Sequence, residues 1–125
     1  MSAIEHASMA YRTQARTVGT ARGLEYDILA RLTRQLRSAA ARGHAGIGPL
    51  ATAIHDNRRL WTIFAVEAAD AANPLPGDLR ARILSLAEFV RQHGSRVLRE
   101  GASVEPLIEI NMAVMRGLTG QEGGQ

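Results

Sequence analysis

Cysteine and lysine are both absent from the 125 residues of this chain. Without cysteine there is no disulfide, no thiol nucleophile and no thiolate metal site, and the redox compartment is left open. Aromatic residues make up only 4% of the chain, and its few Val, Ile and Thr residues do not alternate, which argues against a pleated core. No uncharged run approaches the roughly 20 residues that span a bilayer. Met1 to Gly23 carries Glu5, Arg12, Arg16 and Arg22 without a continuous apolar stretch, so it does not read as a signal peptide. The cytoplasm is the default compartment, with no membrane partner.

What is present is alanine, arginine and enough apolar material, 46% of the chain, for one buried core. These features predict an all-α fold, a single compact bundle of about five helices over residues 1–120, followed by a flexible tail at 121–125. All 15 basic residues are arginine, so the pI of 10.5 overstates a net charge of only +3. The charge is uneven. Met1 to Arg59 holds nine arginines against Glu5, Glu25, Asp27 and Asp56, a balance of +5, whereas six arginines against eight acids leave the remainder at −2. The first half is therefore suited to an acidic partner.

Helix boundaries follow from breakers and periodicity. Ser2 and Glu5 have capping-box spacing, and Ile4, Ala7, Tyr11, Ala15 and Val18 recur at helical intervals. Gly19 and Gly23 bracket an expected break before a second helix striped by Leu24, Ile28, Leu32 and Leu36. Gly43 is suited to the C-cap of that helix, and His44 to Gly48 reads as a flexible connection. Pro49 suits the first turn of a third helix that is apolar nearly all round from Leu60 to Ala69, and so central. Asn73-Pro74-Leu75-Pro76-Gly77 forces a turn. A fourth helix then aligns Leu79, Ile83, Leu86, Val90 and Val97, with Gly94 placed for close helix approach. Gly101-Ala102-Ser103 breaks the chain, Ser103 caps a fifth helix, and Gly120 onward reads as a frayed tail.

Two asparagines interrupt apolar stripes. Asn57 falls among Leu50, Ile54, Trp61, Phe64 and Ala68, and Asn111 among Val104, Leu107, Ile108, Met115 and Leu118. An unpaired buried amide costs about 1 to 3 kcal/mol, so both are expected to be bonded, most simply to each other, as a structural polar core.

No residues assemble a catalytic set. His6, His44, His55 and His93 lack metal-ligand spacing and read as surface or core histidines, so neither metal nor cofactor nor small-molecule ligand is expected. The glycines of 43–48 lack the Gly-Lys-Ser/Thr ending of a phosphate loop. Asp56, Arg58 and Arg59 read as a solvated ion-pair face, and Trp61 as core packing. Arg59, Ile63 and Val66 share the back of the third helix, which either another helix of the domain or a partner's helix must cover. Met112 lies off its own core stripe and joins them as a candidate partner-binding residue. The nine amino-terminal arginines offer phosphate-neutralising capacity without the interleaved aromatics of an RNA reader.

In order along the chain stand Arg22-Gly23-Leu24-Glu25, Asp56-Asn57-Arg58-Arg59-Leu60-Trp61, Asn73-Pro74-Leu75-Pro76, Leu79-Arg80, Ile108-Glu109-Ile110-Asn111 and Met115-Arg116-Gly117-Leu118. This set resembles the flagellar biosynthesis regulator family FlaF over nearly the whole chain, with Gly23 a departure where the family more often has a helix former. The resemblance implies a small helical cytoplasmic protein, not an enzyme, that is needed for flagellin production and opposes the translational repressor FlbT. Two readings follow from it: a chaperone or adaptor that binds flagellin for export, or a translational regulator acting on flagellin messenger RNA directly or through FlbT.

Overall fold

The computed structural model describes residues 18–122, with no side-chain account of 18–24, 44 or 118–122. Four α-helices and one 3-10 turn make up this span: α1 (Val18–Ala41), the turn (Gly43–Gly46), α2 (Ile47–Ala69), α3 (Gly77–Glu100) and α4 (Glu105–Glu122). No strand occurs among the described residues. The fold is all-α. The first of the five expected helices falls outside the described residues, apart from its last residue, Val18, where α1 begins.

The break expected at Gly19 and Gly23 does not occur, because α1 runs through both. Each glycine costs about 1 kcal/mol of helix propensity, a penalty that the long buried face of this helix outweighs. That face is also wider than a single stripe: Leu29, Leu32, Leu36 and Ala39 are buried, together with Thr33. The flexible connection expected at His44 to Gly48 is likewise replaced. Gly43 takes φ +61 just past the end of α1, and the 3-10 turn leads directly into α2. Gly46 is buried against the end of α1, where an added Cβ would stand 2.1 Å from the Ala39 carbonyl oxygen.

Helices α1 and α2 form one hairpin, and α2 and α3 a second, antiparallel one. Gly94 faces Ile54, Arg58 reaches Arg91 and Ser95, and Arg80 reaches Ala68, so positions rise on one helix as they fall on the other. The hinge between them satisfies helix-end carbonyls through side chains. Asn73 Nδ2 donates to the Glu67 carbonyl, the Leu75 amide donates to Asn73 Oδ1, and Arg80 Nε donates to the Ala68 carbonyl. At the far end of α3, Gly101 adopts φ 72, with its N–H directed to the Val97 carbonyl and that of Ala102 to the Arg96 carbonyl. Ser103 Oγ then accepts the Glu105 N–H at the start of α4, which continues to Glu122, past the expected onset of the tail.

Helix α4 lies along α1 and closes the core from below α2. One cluster joins Leu36, Ile54, Trp61, Val90, Val97, Leu107 and Ile108 across all four helices, and Leu29, Leu32 and Leu60 form a second between α1 and α2. Trp61 is 1% exposed and meets Phe64 edge-on at 5.2 Å, as an aromatic pair prefers. At Gly94 the α2–α3 approach is close enough that a Cβ would lie 3.0 Å from the Ile54 Cγ2 methyl. Gly94→Ala is expected to be near neutral, because about 1 kcal/mol of helix propensity offsets the displacement of one methyl group. Gly94→Leu should destabilise by about 2 kcal/mol through overpacking, and thermal melts of the two variants measure the difference.

Candidate functional site

Asn57 and Asn111 are each fully buried, and Asn111 Nδ2 donates to Asn57 Oδ1 at 2.7 Å. Asn111 does more than pair with its counterpart. Its Oδ1 accepts the Trp61 indole N–H at 2.9 Å, and its amide nitrogen also donates to Thr33 Oγ1 at 3.2 Å. The Thr33 hydroxyl in turn donates to the Leu29 carbonyl at 2.7 Å. One side chain of α4 therefore ties together α1 and two positions of α2, in a buried setting of low dielectric where each bond is electrostatically strong. Asn57 Nδ2 is left buried without a partner. None of these groups titrates near neutrality, so the network holds helices in register and performs no proton chemistry.

His93 is a core histidine. Its Nε2 lies 2.6 Å from the Ser103 carbonyl, which can only accept, so Nε2 carries the proton and the ring latches α3 to the α3–α4 link. Its Nδ1 is buried without a partner, and Phe89 stacks on the ring at 5.2 Å and 11°. His55 is exposed, and no group of three potential metal ligands occurs among the described residues. His6 and the side chain of His44 lie outside the described residues. Arg58 is not merely a solvated charge: its Nη2 donates to the Arg91 carbonyl and to Ser95 Oγ, bridging α2 and α3. On the outer flank of α3, bonds from Arg91 and Gln92 hold the Glu88 carboxyl below its ordinary range. That pair is exposed and screened, and adds little.

The four residues singled out for partner binding do not form one surface. Arg59 is exposed, Val66 is 66% exposed, and Ile63 between them packs on the Leu29, Leu32 and Leu60 cluster. The apolar back of α2 is therefore covered only in part, at Ile63, and Val66 stays open to solvent. Met112 stands elsewhere, half-buried on α4, with its Sδ accepting a bond from Arg37 at 2.8 Å. It lines an open groove of about 660 Å³ on the outer side of α4, walled by Arg37 of α1 and Phe89 of α3 and floored by Pro106, Ile110 and Ala113. Phe89 was not singled out from the sequence. The available signal was the one that marked Met112, a large apolar residue lying off its own helix's core stripe, and Phe89 is 40% exposed.

Helix α1 also presents Arg31, Arg34 and Arg37 to solvent, and Arg42 is exposed just past its end. No aromatic side chain is interleaved among them. No helix of the described residues is long and apolar enough to cross a membrane. The chain matches no curated protein and no solved structure. The family model described as "Flagellar protein FlaF" matches residues 7–118, a span that contains all four helices' buried faces, the Asn57–Asn111 pair and the groove. The chain belongs to the FlaF family of flagellar proteins.

Proposed function

We propose that this protein is a non-enzymatic adaptor that binds flagellin in the cytoplasm, through a helical segment seated in the groove around Met112, and so supports flagellin synthesis and export. The observation that supports this reading is the groove itself, in a chain of a flagellar family. Phe89, Pro106, Ile110, Met112 and Ala113 bring apolar area together in one groove, and a flexible thioether among them adapts to an incoming helix. The back of α2 supports it less, because Ile63 is half-buried against the Leu29, Leu32 and Leu60 cluster.

A pull-down with purified flagellin tests this. Met112→Glu and Phe89→Glu are expected to abolish capture while leaving the melting temperature within a few degrees, since neither side chain is fully buried. Apolar burial is little screened, so capture should fall only modestly between low and physiological salt. Ile63→Glu is expected to unfold the α1–α2 contact instead, and so reports stability, not binding.

The second reading, contact with flagellin messenger RNA or with the repressor FlbT, draws on the exposed arginines of α1 and on Arg42 just past its end. Arg31→Ala, Arg34→Ala, Arg42→Ala is the discriminating variant, because Arg37 belongs to the groove as well. The adaptor reading expects this triple change to spare flagellin capture. A gel shift with leader RNA that is lost in the triple variant and falls steeply with salt through counterion release, with flagellin uncaptured, would replace the adaptor by the RNA regulator.

A further inference from the structure

Glu105, Glu109, Met112 and Arg116 follow one another on α4 at intervals of four, three and four residues, which places them on one stripe directed away from the buried Val104, Leu107, Ile108 and Asn111. Glu105, Glu109 and Arg116 are exposed, and all four line the groove. Acidic charge stands at one end of the stripe, basic charge at the other, and apolar side chains at the middle.

We propose that this face of α4 is the contact surface for a second copy of the chain, packed antiparallel about a two-fold axis that passes between Met112 and Ala113. A two-fold contact requires a surface that is complementary to itself after reversal. This one meets the requirement. Glu109 and Arg116 are seven residues, or about 10 Å, apart, and their midpoint is Met112–Ala113. Reversal therefore sets each Glu109 over the other copy's Arg116 and meets Met112 with Ala113, whose small side chain lets two helices approach closely. Parallel pairing would instead oppose acid to acid and base to base. Arg37 on the flank balances Glu105, so the groove carries two charges of each sign and has no net charge to repel its copy. The inference requires no flagellin and stands apart from the adaptor reading. If both hold, cargo and second copy compete for Met112.

Charge reversal tests it on the full chain. Analytical ultracentrifugation over about 1 µM to 1 mM, the range suited to a small interface, is expected to show the wild type moving from 13.5 kDa toward twice that mass. Glu109→Arg and Arg116→Glu should each remain at 13.5 kDa. An equimolar mixture of the two should recover the dimer, and so should the single chain carrying both reversals, whose face is again self-complementary. Circular dichroism melts of these exposed-site variants control for folding. Three outcomes overturn the proposal: a wild type that stays monomeric throughout, single reversals that dimerise as the wild type does, and a mixture that fails to recover association.

Discussion

Asn111→Ala is expected to be the most damaging single truncation in the core, costing about 3 to 5 kcal/mol. The figure combines a cavity at a fully buried site with orphaned partners, each worth about 1 to 3 kcal/mol when left unbonded. Trp61 Nε1 and Asn57 Oδ1 both lose their only hydrogen-bond partner shown here, whereas Thr33 keeps its bond to the Leu29 carbonyl. Asn57→Ala should cost less, about 1 to 3 kcal/mol. It removes one acceptor from Asn111 and also removes the Asn57 Nδ2 group that has no partner to lose. The two asparagines look alike in sequence but are not equivalent, since one is a hub and the other a spoke. Denaturant melts of the single and double variants measure their coupling, expected at about 0.5 to 3 kcal/mol. Equal single costs with no coupling would refute the hub assignment.

Gly46→Ala is expected to destabilise by about 3 kcal/mol, at the upper end of overpacking costs, although one methyl group is all that is added. The new Cβ would stand 2.1 Å from the Ala39 carbonyl oxygen and 2.9 Å from Arg42 Cβ. The first obstacle is backbone and cannot rotate aside, so the turn between α1 and α2 must open. Its neighbours provide the controls. Gly48 has open space around its absent Cβ and lies in the first turn of α2, so Gly48→Ala should stabilise by about 0.5 to 1 kcal/mol. Gly43 also has open space but sits at φ +61, so Gly43→Ala should cost about 1 kcal/mol of left-handed strain. Thermal melts of the three variants should therefore rank Gly48→Ala above wild type, then Gly43→Ala, then Gly46→Ala. A harmless Gly46→Ala would show that the turn packs differently from what is described.

The breaks between the helices within the described residues were legible because strong local chemistry marks them, whereas the start of α1 was not. Pro49, the Asn73 to Gly77 run, Gly101 and Ser103 act through φ restriction, missing donors and side-chain capping, which depend on neighbours in sequence alone. The inward placement of Asn57 and Asn111 was legible for the same reason, since 3.6-residue periodicity sets which face a side chain occupies. Their mutual contact followed from the cost of leaving a buried amide unpaired. Periodicity also marked Met112 as lying off the core stripe of its helix, where it packs half-buried at the edge of the core, and the same logic applied to the off-stripe Phe89.

Tertiary packing decided the rest, because the quantities concerned are distances between segments remote in sequence. Gly19 and Gly23 are helix breakers by propensity, yet a helix buried along two neighbours tolerates them. Leu29 and Thr33 are buried beside the expected stripe because α1 meets α2 on one side and α4 on the other. Gly46 differs from Gly48 only in what surrounds it. Ile63 is half-buried against the Leu29, Leu32 and Leu60 cluster, and Arg37 reaches Met112 across 75 residues of sequence, placements that periodicity along one helix does not contain. Local chemistry thus determined where this chain is helical and which face of each helix is apolar. Only the assembled bundle determined which of those faces were already occupied and which remained open.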